Sequence, residues 1–539
     1  MYPIETTSSS SSPISKLSSD ILWEIFTMNA DMYHPLEYDL DSNESLVHQS
    51  ALDTTLTTSR VCESWRNLLL GSSSIWGRML QLERLRALGK EGREEILRRT
   101  GDAPLSILGY VVDSTEFGRG FLSLLLRDEW SRIRKLHIRL KVSDESLLSF
   151  SNTCLPPAPS LESFNIRFEY DDAFATVENR PGVNAGDLFS GDVPVLEEFA
   201  MTSPPFTLNL QAPWMIHLRV LKLTGQEINI VEIMTTIKQM YRLEHLSVTR
   251  FRDHPHFETP VPESIALPHL THLELNGRLR PVTLLALAIK PAVYCMLGLD
   301  ALIRSHTDLT DANDLMQVLT RYGESYFSRA KVSSLDININ TYMFVIKVLR
   351  LSDHSPVIPS SEFATLHTFH VRLLLPSPLF EDNSILISPF LMHDVSTVRN
   401  LYLRLDSFDT AADFIHIDSI FRSFSAVQIL ETDFMGFKYL TKSGSLLPDL
   451  RTLEIKWYTL EDKFQECFWT FYTNRKNLRL SVPNLDFGKD PTSDLRFLDA
   501  AEGLKIIWEE GGVKKEYVCG SGDERKLALG AASRLVQSR

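Results

Sequence analysis

With 539 residues the chain has room for more than one domain, and a composition 43% hydrophobic and 10% aromatic supplies a sizeable core. Its 55 Lys and Arg against 69 Asp and Glu leave a formal charge of −14, which argues against the broad basic footprint of a nucleic-acid or anionic-membrane binder. The five cysteines, Cys62, Cys154, Cys295, Cys467 and Cys519, are odd in number and scattered, with neither metal-ligand spacing nor a disulfide framework, as expected in a reducing compartment.

Residues 1–13 read as a disordered Ser/Thr-rich lead, without the positive and apolar regions of a signal peptide. Three amphipathic helices should follow. Ser18 and Ser19 are good N-cap residues, and Asp20 suits the positive end of the first helix. Ile21, Leu22, Ile25 and Phe26 then stripe one face. After an acidic, interrupted stretch, Asp31–Ser50, expected as a surface loop, Leu52, Leu56, Cys62, Trp65 and Leu69 recur at helical steps with a break near Ser59. Gly71 ends that run, and Ser72–Ser74 cap a third helix carrying Ile75, Trp76, Met79 and Leu80. A charged helix over Glu91–Arg99 stops at the breaker cluster Thr100–Pro104.

The words LSSDILWEIF and SRVCESWRNLLLGSSSIW within these helices resemble the F-box motif. Leu17, Ile21, Leu22, Ile25 and Phe26 match its start, Val61, Cys62, Trp65 and Arg66 its centre, and Ile75 with Trp76 its end. Ser18 stands where the family usually has proline and Asp20 where it has glutamate, and the Asn29–Ser50 spacer is longer than usual.

Beyond Pro104 a short phrase recurs: an apolar residue, two others, an apolar residue, one other, an apolar residue. It reads Ile133/Leu136/Ile138, Leu161/Phe164/Ile166, Leu218/Leu221/Leu223, Leu243/Leu246/Val248 and Leu270/Leu273/Leu275, then Val332/Leu335/Ile337, Leu366/Phe369/Val371, Val398/Leu401/Leu403 and Leu450/Leu453/Ile455. Leu196/Phe199 and Val427/Leu430 are partial copies. The last two apolar positions are two apart, so they share one face of a short strand. Several copies follow a proline, which sets the chain extended. Most of the spacings up to Leu270 approach the period of leucine-rich repeats, roughly 20–29 residues. Gln226 and Asp406 approximate the asparagine of that repeat, whereas Phe251, Arg278 and Tyr458 do not. The expectation is an irregular leucine-rich-repeat-like α/β solenoid, a horseshoe of strands and return helices over residues 91–510. Val231–Tyr241, Ala312–Tyr322 and Thr410–Phe424 have the composition of return helices, and an irregular unit is expected around Met296–Leu302. Leu504–Trp508 and Val513–Val518 flank Gly511-Gly512 as a hairpin, opening a terminal cap and tail over 511–539.

Chemistry is sparse. There is no Gly-rich phosphate loop, no H-E-x-x-H and no G-x-S-x-G. Asp39-x-Asp41-x-Asn43 opens like a calcium loop, but Glu44 and Ser50 stand where glycine and glutamate are needed. His254, His256, His269 and His272 lack partner ligands at metal spacing. No catalytic, cofactor-binding or metal residue is assigned. Val282–Ile289 is stopped by Lys290 and Pro291 well short of a membrane span, so no membrane association is expected and the location expected is cytoplasmic or nuclear.

As a whole the chain resembles a fungal-type F-box protein with a degenerate leucine-rich-repeat-like C-terminal region, the box filling residues 14–90. Leu97–Leu105 and Trp130–Leu136 resemble further segments of that family. The resemblance implies a substrate receptor of a cullin-RING ubiquitin ligase. It would dock a Skp-type adaptor, and through it a cullin, while the solenoid holds a protein target. The receptor then supplies proximity rather than bond chemistry. Leu17, Ile21, Leu22, Ile25, Phe26, Val61, Cys62 and Trp76 should divide between bundle core and adaptor contact, with Trp65 in the core. The rival readings are an interaction scaffold whose helices only cap the solenoid, and an enzyme with a site assembled in space.

Overall fold

The computed structural model describes residues 14, 17–31, 50–112, 115–142, 156–170, 183–184, 188–204, 206–225, 228–251, 264–290, 292–293, 295–303, 309–327, 331–340, 342–349, 367–374, 386–391, 395–405, 421–442, 445–455, 463–489 and 494–529. It is an α/β protein that divides into two compact units, Met1–His245 and Leu246–Arg539.

The first unit opens with helices α1 (Ser19–Asn29), α2 (Ala51–Thr58), α3 (Glu63–Leu70) and α4 (Ser73–Gly77). Ser18 caps α1 by accepting from the Ile21 amide at 3.4 Å, and Ser50 caps α2 from Asp53 at 3.2 Å. The run expected from Leu52 to Leu69 is two helices, broken at Ser59–Cys62. Gly71 closes α3 with φ −81°, so this turn does not require glycine. Strand β1 (Leu80–Gln81) and helices α5 (Leu82–Ala87) and α6 (Lys90–Thr100) follow. Gly77 is required where it stands, because an added Cβ would lie 2.5 Å from the Pro104 carbonyl oxygen.

Strands β2 (Leu105–Val112), β3 (Ile133–Val142), β4 (Ser163–Tyr170), β5 (Glu198–Thr202) and β6 (Val220–Thr224) form a parallel ladder in chain order, with β1 beside β2. The recurring phrase sets its register. Leu136, Phe164, Phe199 and Leu221 stand opposite one another, as do Ile138, Ile166, Met201 and Leu223, all buried. The first apolar residue of a copy closes a turn: the amides of Leu161, Leu196, Leu218 and Leu243 each donate to the carbonyl three residues earlier. The next residue reaches back to the preceding copy, Glu162 to Arg134, Glu197 to Glu162, Arg219 to Glu197 and Glu244 to Arg219. Side chains at that position pair along the row, Arg134 with Glu162 at 2.7 Å and Arg219 with Glu197 at 3.3 Å and Glu244 at 2.9 Å. Aromatic rings fill the core side, Phe164 stacking on Phe199 at 5.5 Å and meeting Phe189 at 5.3 Å.

In the second unit β7 (His245–Thr249) adjoins β8 (His272–Arg278), which runs parallel to β9 (Met296–Leu302). The irregular unit expected around Met296 is thus strand β9. The next strands, β10 (Ser334–Ile339), β11 (Met343–Leu349) and β12 (His367–Leu374), depart from chain order. β9 pairs with β12, β12 with β11 antiparallel, and β11 with β10 antiparallel. The irregularity lies in β11, which carries no copy of the phrase, buries Phe344, Val345, Ile346 and Val348, and runs antiparallel between two strands that do carry copies. From β10 the parallel order resumes through β13 (Asn400–Arg404), β14 (Ile429–Thr432), β15 (Thr452–Ile455), β16 (Asn484–Lys489) and β17 (Lys505–Glu510). The same rung recurs, Arg399 to Ser333, Gln428 to Arg399 and Arg451 to Gln428. β17 turns through Gly511 (φ 59°) and Gly512 (φ 80°) into antiparallel β18 (Val513–Val518), the left-handed pair a tight hairpin needs.

Among the described connecting helices are α7 (Ser123–Glu129), α8 (Ile230–Ile237), α9 (Leu279–Ala288), α10 (Leu309–Phe327), α11 (Phe434–Lys442) and α12 (Phe464–Asn477). Val231–Tyr241 and Ala312–Tyr322 fall mainly on α8 and α10, while Thr410–Phe424 lies mostly outside the described residues. The apolar run Val282–Ile289 is largely α9, buried along most of its length, and among the described residues no helix is long and apolar enough to cross a membrane.

Candidate functional site

Helix α1 has two apolar faces, and they differ in fate. Leu22 and Phe26 point into the bundle, where the Phe26 ring meets Trp65 edge-on at 5.3 Å. Leu52, Leu69, Ile75 and Trp76 complete that core. The Trp76 indole N–H donates to the Leu69 carbonyl at 2.8 Å, and the Arg99 guanidinium lies 4.6 Å from its ring centroid. A buried indole with its donor satisfied is a structural element. Trp76, Leu22 and Phe26 are thus buried, and Trp65 is half-buried beside them.

The other face is open. Ile21 is 50% exposed, Ile25 39% and Met28 74%, at helical steps of four and three. Val61, in the turn between α2 and α3, is 62% exposed, and Cys62 beside it is also exposed. Leu17 is half-buried. Met28 extends the stripe and was overlooked in the sequence, although its spacing from Ile21 and Ile25 marks it. The open face of α1 is apolar, and the Cys62 thiol is exposed separately in the turn between α2 and α3. The α1 face offers aliphatic and thioether surface of the kind that forms the anchor of a protein interface.

The helices are tied to the first strand of the ladder. β1 pairs with β2 at Leu80↔Ile107 and Gln81↔Leu108, and the Glu83 carboxylate accepts from the Tyr110 amide. Arg84 pairs with Asp53 at 2.9 Å, linking α5 to α2.

Three titratable groups away from α1 are shifted chiefly by burial. Burial pushes the Cys295 and Cys519 thiols up to about 12, with the Asp499 carboxylate adding to the effect at Cys519, which leaves neither as a thiolate nucleophile at neutral pH. Tyr402 is raised by burial and then by Glu431, Glu454 and Asp336, which share its row across β10 and β13–β15. Among the described residues no group of three His, Cys, Asp or Glu stands together to hold a metal. His272 has its ring nitrogen 2.8 Å from the Thr271 hydroxyl, while His254, His256 and the Asp39–Asn43 stretch lie outside the described residues. No family model matches this chain. No curated protein matches it either.

Proposed function

We propose that the chain is a substrate-receptor subunit of a cullin-RING ubiquitin ligase. In this reading α1 to α4 form the F-box-like bundle that docks a Skp-type adaptor, and the strand-and-helix array beyond is a leucine-rich-repeat-like solenoid that holds a protein target. The observation that carries it is the division of α1. The residues matching the F-box start split into Leu22 and Phe26, spent on the core, and Ile21 and Ile25, left open beside Met28. Singly scattered exposed apolar residues are ordinary, but apolar side chains aligned along one helix face are the arrangement found at protein contact surfaces. The recurring rung between successive phrase copies supports the solenoid half of the reading.

The test is co-purification of the full chain with a purified Skp-type adaptor, using Ile21→Asp/Ile25→Asp as the variant. Both sites are exposed, so the variant should fold and lose the adaptor. Retention of the adaptor by a folded variant would remove α1 from the contact. Leu22→Asp is unsuitable for this purpose, because it buries a carboxylate in the bundle.

One observation favours a second reading, in which the helices only cap the solenoid. The β1–β2 pairing and the Glu83–Tyr110 bond seat the helices on the first strand of the ladder, where a cap would sit. A capping role predicts a folded chain that binds no adaptor.

A further inference from the structure

Strand β18 ends the second-unit ladder with one side open. Among the described residues it pairs only with β17, and every residue of the strand except Tyr517 is exposed. One rung past the strand, the Cys519 amide donates to the Leu504 carbonyl at 2.8 Å. Backbone bonds alternate along an antiparallel pair, so Val513, Lys515 and Tyr517 turn their backbone groups to β17, as Cys519 does. Lys514, Glu516 and Val518 therefore turn theirs to the open edge. The Val518 carbonyl there accepts from the Ser521 amide at 3.2 Å.

Edge strands are ordinarily guarded against pairing, often by lysines, proline or a bulge. On β18 the register with β17 runs unbroken from Lys505↔Val518 to Glu510↔Val513, and the strand has no proline. Its charges are drawn back across their own sheet. Lys515 pairs with Glu510, Glu516 with Lys505 at 2.7 Å, and Lys514 lies 3.6 Å from Asp486 on β16. The lysines are thus balanced from within, and the backbone beside them is left available. Lys514 and Glu516 also stay more than half exposed, so each can meet a further charge.

We propose that β18 pairs antiparallel with β18 of a second copy of this chain, about a two-fold axis at Lys515. The strand's own sequence selects that occupant. An axis perpendicular to the sheet keeps each face on its own side. Centred on Lys515, it sets Lys514 opposite the partner's Glu516 and Glu516 opposite the partner's Lys514, each pair exchanging both backbone bonds. The exposed Val513 comes beside the partner's Tyr517. Lys515 alone meets its like, with its ammonium already held by Glu510. Centring on Glu516 would instead oppose two glutamates and set Lys514 against an uncharged valine. The edge lies in the second unit, so the inference stands apart from the adaptor reading.

The test is sedimentation velocity of the full chain over a concentration series at physiological salt, where repulsion between copies of net charge −14 is screened beyond about 8 Å. A single strand pair is far smaller than a standard interface of roughly 1,600 Å², so a reversible dimer weaker than about 1 µM is expected. Lys514→Pro removes an amide that faces the open edge and spares the bonds to β17. It should lower the association constant by roughly tenfold or more in a chain that stays folded. Cross-linking reads the register. Opposed residues of a pair without backbone bonds lie about 4.5 Å apart at Cα, within disulfide reach. With the exposed Cys62 changed to serine, Lys515→Cys should therefore form an intermolecular disulfide under mild oxidation much faster than Lys514→Cys. A sedimentation coefficient that does not rise with concentration would overturn the proposal. So would a folded Lys514→Pro chain that associates like the parent, or equal cross-linking by the two cysteine variants.

Discussion

Arg475 on α12 is fully buried and, among the described residues, has no carboxylate partner; backbone carbonyls take its guanidinium instead. It donates to Ser481 at 2.8 Å, to Leu446 at 3.1 Å, to Leu447 through two bonds at 3.3 Å, and to Pro448 at 3.5 Å. One side chain thereby clamps the turn that leads into β15 and the turn that leaves α12. Both contain a non-glycine residue in the left-handed region, Leu447 (φ 51°) and Arg479 (φ 56°). Burial pulls the guanidinium below its ordinary pKa without discharging it. Replacing it with methionine removes charge-assisted bonds of about 1.5–3 kcal/mol each. The same change removes the several kcal/mol spent keeping a cation out of water. The difference, with carbonyls left unsatisfied, is a net loss of about 3 kcal/mol for Arg475→Met. Urea unfolding of the second unit reads that loss, and hydrogen exchange should speed up at 445–455 and 478–485. An unfolding free energy within about 0.5 kcal/mol of the parent's, with unchanged exchange, would refute the clamp.

Three other outcomes follow from the geometry. His137 has its folded pKa depressed to about 4 by burial and then by Lys135 and Lys222. Stability from that neutral imidazole is present above about 6.5 and is lost as pH falls towards 4, by at most about 3 kcal/mol. His137→Gln should flatten the pH dependence of first-unit unfolding between those values, and identical slopes would contradict the assignment. Gly77→Ala brings a Cβ within 2.5 Å of the Pro104 oxygen and should destabilise the first unit by about 1–3 kcal/mol, read as a fall in Tm. Trp76→Phe removes the donor to Leu69 and should cost about 1–2 kcal/mol while leaving the exposed Ile21 face intact.

Strand faces were legible in the sequence because the phrase encodes both register and burial. Leu136 through Leu221 line up as their positions in it imply. The order of β10, β11 and β12 was not legible, since it depends on pairing between distant segments and β11 carries no copy of the phrase. Of the connecting helices named, α7, α9, α11 and α12 escaped, the last three for local reasons. α9 is apolar on nearly every side, which hides its period, and α11 and α12 owe their packing to ring contacts such as Phe437–Phe471 at 5.5 Å. At the candidate site the helical spacing identified Ile21, Leu22, Ile25 and Phe26 on α1 but not Met28. Which of the two faces met the core was decided by α2 to α4, through partners such as Trp65 and Leu69 that the stripe alone could not rank.

Titration calorimetry of the full chain with a purified Skp-type adaptor tests the central claim most directly, comparing the parent with Ile21→Ser/Ile25→Ser. Together the two side chains leave about nine-tenths of one isoleucine open. Covering that surface is worth about 1.3–2.7 kcal/mol, so the double serine should bind roughly tenfold to a hundredfold more weakly. A parent that binds and a folded variant weakened in that range would support the receptor reading. No heat from the parent, or equal affinities, would contradict it.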